Sequence, residues 1–224
     1  MSELPSSVCQ PKQTTVGELL EAARNGSLAS QLEQLGLEAS RSSDFEAAAR
    51  HLIASEVSTS TRAFAFWVPG RIEVAGKHTD YAGGRSLLCA VNRGFAVVSA
   101  ERSDAVCRIF ASFEEKDEVQ VAEMSLHSES RDESLPGWAL YPESAVLRLA
   151  RNFSIHGGIN AAFSCDLPAA SGMSSSSAII TLTFLCLAAR NKLATLPKFV
   201  SELGTAELLT HYLGCIENGQ VRRS

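Results

Sequence analysis

An α+β fold, in which helices pack on a mixed and mostly antiparallel sheet, is predicted by three features of this 224-residue sequence. Hydrophobic residues make up 45% of the chain, enough to bury a sizeable core. Apolar residues recur at helical spacing before residue 56 and again after residue 141. Between these stretches lie short β-branched and aromatic runs bounded by Gly, Asn and Asp, as in strands joined by tight connections.

Val16, Leu19, Leu20 and Ala23 form a first helical series, and Phe45, Ala48, Ala49, Leu52 and Ile53 a second, separated by Asn25-Gly26-Ser27 and by Gly36. With the Ser- and Thr-rich run 55–61, they make residues 1–62 a helical extension and linker, and the main domain is expected over 63–224. Strands are expected at 63–68, 71–75, 86–91, 95–100, 106–110 and 119–122. The polar, acidic stretch 125–134 reads as a surface loop, and a helix follows over 141–152 until Gly157-Gly158 breaks it. Residues 159–165 alternate as a strand does, 174–189 form an apolar helix, and 198–217 form a last helix. No repeat at solenoid periods is present.

Twenty Lys and Arg against twenty-five Asp and Glu give a net charge of -5, which disfavours binding of nucleic acid. The six cysteines, at 9, 89, 107, 165, 186 and 215, never stand at the two-residue spacing of zinc or redox sites and read as reduced, mostly buried thiols. The apolar stretch 178–189 is interrupted by Thr181 and Thr183 and is too short to span a bilayer, so no membrane association is expected. Residues 1–13 lack the apolar run of an export signal, and a cytoplasmic location is expected. In that location the acceptor patterns at Asn25 and Asn152 are chance matches for glycosylation.

Two segments carry chemistry. Pro168-Ala169-Ala170-Ser171-Gly172-Met173-Ser174-Ser175-Ser176-Ser177-Ala178 lies between a strand and a helix. Its small side chains let backbone amides approach an anion, and the following helix contributes its positive end. Serine hydroxyls in the first turn can donate to phosphate oxygens or ligate magnesium. The same residues also suit an ordinary helix cap and turn, and the Gly-Lys-Ser/Thr ending of a P-loop is missing. The second segment runs from Val68 to Gly84. There a Pro69-Gly70 turn presents Arg71, and Lys77, His78, Thr79, Asp80 and Tyr81 precede Gly83 and Gly84. Arg71 can pair with a phosphoryl group through its planar fork, and Asp80 can accept hydrogen bonds from a polyol. Arg71 as a surface charge and His78 as a satisfied histidine are the alternatives, while a metal site from His78 and Asp80 lacks further ligands.

Together the two segments resemble the GHMP kinase family, its galactokinase branch most closely. The Val68–Gly84 segment resembles the family's sugar-binding signature of Pro-Gly-Arg, then Gly-Glu-His-Thr-Asp-Tyr, then glycine. The serine-rich segment resembles its phosphate-binding motif, Pro and small residues followed by Gly-Leu-Ser-Ser-Ser-Ala. Their order and separation, about ninety residues, agree as well, and the resemblance covers residues 63–220. It implies the family's N-terminal domain, of the ribosomal protein S5 domain 2-like type, and an ATP- and magnesium-dependent sugar kinase. Arg71 would stand beside the transferring phosphoryl group. Lys77, His78, Asp80, Tyr81, Gly83 and Gly84 would form the sugar pocket. Pro168, Ser171, Gly172, Met173, Ser174, Ser175, Ser176 and Ser177 would cradle ATP, with Ser176 on the metal. Small-molecule sugar and ATP are then the expected partners, and any protein partner of residues 1–62 is left open.

Three departures accompany the resemblance. Lys77 stands where the galactokinase branch has Glu, and Glu73 where the family usually has Asn. A cation at 77 favours an acceptor bearing a carboxylate or pairs with Glu73, so galactose is not implied as the acceptor. The family's catalytic Asp follows the helix that here ends at Ile216-Glu217-Asn218-Gly219-Gln220, and its C-terminal domain lies further on. The sequence is therefore expected to be an N-terminal fragment with little kinase activity and with apolar surface bared where a second domain would pack. A non-catalytic sugar or nucleotide sensor is the alternative.

Overall fold

The structure is a computed structural model that describes residues 11–76, 83–113, 118–168 and 173–219. Strand β1 (Thr14–Thr15) leads into helices α1 (Val16–Arg24) and α2 (Ser27–Gln34), a 3₁₀ turn (Ala39–Arg41) and α3 (Ser42–Ala54). Strands β2 (Arg62–Ala75), β3 (Leu87–Glu101), β4 (Val106–Phe113) and β5 (Gln120–Ser125) follow, then α4 (Leu140–Phe153) and β6 (Ile159–Cys165). Helices α5 (Ser175–Arg190), α6 (Pro197–Leu203) and α7 (Ala206–Glu217) complete the described chain.

Among the described residues six strands form one sheet in the order β1-β2-β3-β6-β4-β5. Every pairing is antiparallel except that of β4 with β6. Helices cover both faces, and strand alternation sorts the side chains between them. Phe95 and Val97 of β3 face a core built with α4, α5 and α7, whereas Ala96, Val98 and Ala100 face α1 and α3. This double cover explains why residues 95–100 are buried without a break. The helices expected as an extension thus share a core with the sheet: Val16, Leu19, Phe45, Ala49 and Leu52 pack over Ala63 and Ala162.

Local chemistry sets the helix ends. Thr15 caps α1, accepting from Glu18 N at 3.2 Å while Glu18 Oε2 accepts from Thr15 N at 2.9 Å, a reciprocal box that holds the Glu18 carboxyl below the usual range. Helix α5 is buried almost all round, from Ala178 to Ala189, as a helix without a polar face must be. Among the described residues no helix is long and apolar enough to cross a membrane.

Several expectations need correction. The four short strands expected between 63 and 100 are two long ones, because Pro69-Gly70 and Gly94 mark irregularities within the pairing and not chain reversals. Pro69 faces Gly94 across the ladder, and the register shifts between Pro69 and Arg71. A Cβ at Gly94 would stand 2.3 Å from the Val68 carbonyl oxygen, so glycine is required by the close approach of β2. The last helix is two, divided at Gly204 and restarted by Thr205, whose hydroxyl accepts from Leu208 N at 3.3 Å. Helix α4 ends at Ser154, in the left-handed region at φ 50°, before the Gly157-Gly158 pair. Of the cysteines, 107, 165, 186 and 215 are buried and unbridged, but Cys89 is exposed, and Cys9 lies outside the described residues. Burial pushes the Cys107 thiol up, and that of Cys186 to about 12, so both are unreactive.

Candidate functional site

The far half of the β2–β3 pair extends beyond the helices as an arm. Arg71 to Ala75 and Leu87 to Ala90 are exposed there, including Ile72 at 40%, Val74 at 58%, Leu87 at 61% and Leu88 at 46%. The arm leaves the sheet beside the point where β6 ends and Asp166-Leu167-Pro168 begins. Arg71 N donates to the Met173 carbonyl at 3.1 Å. One residue earlier, a Cβ at Gly70 would lie 2.6 Å from Leu167 Cδ2 and 3.1 Å from Met173 O. Glycine lets β2 press closely on the strand-to-helix segment, where a larger residue would require the Leu167 side chain to swing aside and the Met173 carbonyl to give slightly. The two motifs, far apart in sequence, therefore touch at their bases.

Pro168 and Met173 are half-buried at the two described ends of the serine-rich loop. Ser174 takes a left-handed conformation, φ 56° and ψ 48°, and turns the chain into α5 without providing a side-chain cap. The Ala178 amide donates to the Ser174 carbonyl at 3.2 Å. The amides of Ser175, Ser176 and Ser177 belong to the first turn, where backbone N–H groups and the helix dipole favour an anion.

Glu217, in the last turn of α7, reaches this turn. Ser176 Oγ donates to Glu217 Oε1 and Ser177 Oγ to Oε2, each at 2.6 Å. An acid at a helix C-terminus is electrostatically disfavoured, so its placement calls for a compensating partner. Sequence reasoning named Ser176 but missed Glu217, whose one visible signal was that misplaced charge. Hydroxyl and carboxylate oxygens are the hard donors that magnesium prefers, so Ser176 and Glu217 suit that ion. Among the described residues no cluster of three or more His, Cys, Asp or Glu offers another metal site.

Lys77, His78, Asp80 and Tyr81, and Ser171 and Gly172 of the loop, lie outside the described residues. On either side of residues 77–82, Ser86 Oγ donates to the Gly76 carbonyl at 3.2 Å, and Gly83 and Gly84 are exposed. A 560 Å³ cavity is lined by Leu19, Leu32, Phe45 and Trp67 under α1 and α2 and by no named residue of either motif.

Residues 55–101, spanning β2, the 77–82 stretch and β3, match the galactokinase galactose-binding signature. The chain is 32% identical over 115 residues to a galactokinase of Bacillus subtilis, covering 51% of this chain and 29% of that one. It is 36% identical over 117 residues to a galactokinase of Exiguobacterium sibiricum, again covering 51% and 29%. The chain thus spans less than a third of the length of these curated relatives. Its structure matches Lactococcus lactis galactokinase complexed with galactose at a TM-score of 0.52 and 26% identity, covering 68% of this chain and 38% of that one. A mevalonate kinase from Methanococcus jannaschii matches at a TM-score of 0.51 over 70% of this chain and 48% of its own, where 16% identity speaks to the fold alone. Signature, sequence relatives and fold agree in what the chain is similar to: the galactokinases, and by its fold the GHMP kinases more broadly.

Proposed function

We propose that these residues form the nucleotide- and sugar-holding half of an ATP-dependent sugar kinase, which transfers a phosphoryl group from ATP to a monosaccharide hydroxyl. The observation that carries the reading is the hydrogen bond from Arg71 N to the Met173 carbonyl, with Gly70 pressed on Leu167, because it sets the sugar motif against the phosphate motif. In this reading the amides and hydroxyls of Ser174, Ser175, Ser176 and Ser177, with Pro168, Ser171, Gly172 and Met173, hold the ATP phosphates. The Arg71 guanidinium offsets charge on the transferring group. Lys77, His78, Asp80, Tyr81, Gly83 and Gly84 orient the sugar.

Ser176 and Glu217 would hold magnesium, which when bound neutralises phosphate charge. The Ser176 hydroxyl, which donates to Glu217, would offer such an ion an oxygen lone pair. The exposed apolar residues of the β2–β3 arm support a further reading, that a C-terminal domain of a complete kinase covers them, with the catalytic base following α7 ahead of that domain. Residues 63–224 then constitute the kinase half-domain and 1–62 its helical cover. Lys77 in place of Glu favours a monosaccharide acceptor with a carboxylate over neutral galactose.

Equilibrium binding to the purified chain tests the proposal. ATP with magnesium should bind, and Arg71→Ala in a complete kinase should lower the turnover number far more than the melting temperature. A folded chain that binds no ATP would overturn the reading. Lys77→Glu should shift acceptor preference from a uronic acid toward neutral hexose. Sugar and ATP binding without turnover in a complete chain would instead make the protein a sensor.

A further inference from the structure

We infer that Arg41, in the N-terminal helical segment, is a positioning residue that sets the phosphate-binding loop and the Arg71 segment relative to one another. The inference rests on the kinase reading for what the loop holds; the placement itself does not. Arg41 closes the 3₁₀ turn before α3 and is 9% exposed. Its Nη1 lies 2.6 Å from Asp166 Oδ2 and 3.3 Å from Asp44 Oδ2, and its Nη2 donates to the Asn92 carbonyl. The guanidinium carbon sits 4.5 Å over the Trp67 ring. Asp166 spends its other carboxylate oxygen on Gly94 N at 2.7 Å, and its carbonyl accepts from Arg93 at 3.1 Å.

One cation therefore touches β2, β3 and the segment that follows β6. Trp67 stands on β2 four residues before Arg71, Asn92 and Gly94 stand at the irregularity of β3, and Asp166 follows β6 two residues before Pro168. A planar group with five donors can stack on the indole while bonding in plane to a carboxylate and a carbonyl, which no other side chain does. A buried ion cluster is a weak source of stability compared with apolar packing, but it imposes one geometry. The geometry imposed here is the separation between the loop entrance and the root of the arm, so small errors would be passed to both motifs.

Hydrogen exchange and ligand binding on the full chain test this. In Arg41→Met the amides of Arg71 and Gly94 should exchange at least about tenfold faster while those shared by β4 and β5 are unchanged. ATP affinity should fall by at least about tenfold with adenosine affinity unaltered, since the phosphate cradle and not the base is displaced. Arg41→Lys, which restores the charge, should recover part of both. If Arg41→Met does not fold, Asp166→Asn carries the same expectations, because it keeps an acceptor for Gly94 and loses the pairing with Arg41. Unchanged exchange at both amides in a folded variant overturns the inference, as does an equal loss of ATP and adenosine affinity. A wild-type chain that binds no ATP defeats the kinase reading alone, and the exchange rates then decide whether Arg41 sets the loop.

Discussion

Glu217→Gln separates a structural latch from a metal ligand. The wild-type carboxylate accepts two short O–H···O bonds, from Ser176 and Ser177, at 2.6 Å each. Charge-assisted bonds contribute about 1.5–3 kcal/mol when fully buried, and less here because Glu217 and both serines are only half-buried. Glutamine keeps one acceptor oxygen and loses the charge, so the expected loss of stability is about 1 kcal/mol, or a melting point lower by about 2–4 °C. The effect on magnesium should be larger in relative terms. Exchanging an anionic ligand for a neutral amide should raise the magnesium concentration needed for half-maximal ATP binding by about tenfold or more. Fluorescence titration of an ATP analogue against magnesium, beside a thermal melt, reads both quantities. An ATP-binding variant with an unaltered magnesium requirement would refute the metal role and leave Glu217 as a tie between α5 and α7.

Gly94→Ala should cost about 3 kcal/mol in urea denaturation, because its Cβ would fall 2.3 Å from Val68 O and 2.7 Å from Pro69 Cα, atoms of backbone that cannot swing aside. Phe184→Ala should cost about 3–5 kcal/mol, since the ring is fully buried and packs on Phe199 and Tyr212 with centroids 6.2 and 6.3 Å away. Burial raises the Asp44 carboxyl above its ordinary 3.8, with Arg41 offsetting only part of the shift. The ionised form is thus disfavoured by folding, so Asp44→Asn should be the more stable chain at neutral pH. Wild type should gain on the variant as pH falls through the raised value toward 3.8, as paired melts across that range would register.

The parts legible in the sequence were those with a local cause. Strand β6 and helices α4 and α5 lie within a residue or so of their expected bounds, because period and flanking turn residues fix them. Pro69-Gly70 and Gly94 misled for a physical reason: a glycine that permits close approach and one that permits a turn look alike in sequence. Both motifs were visible as runs of residues, but their contact was not, since Gly70 meets Leu167 only through the sheet order. The tie between Glu217 and Ser176 was hidden for the same reason, the two being 41 residues apart with no pattern joining them, although an acid in the last turn of a helix was itself a visible oddity. Arg41 was indistinguishable from any charge on a solvated helix until Asp166 and Trp67 enclosed it.

Covering the sheet on its second side has a practical outcome for anyone who trims this chain. A version begun at residue 62 would retain every motif residue and yet strip the roof from Ala63, Ala96, Val98, Ala100 and Ala162, leaving a smooth greasy strip several strands wide. Such a strip invites self-association, so the shortened protein would be lost to precipitation before its chemistry could be assayed.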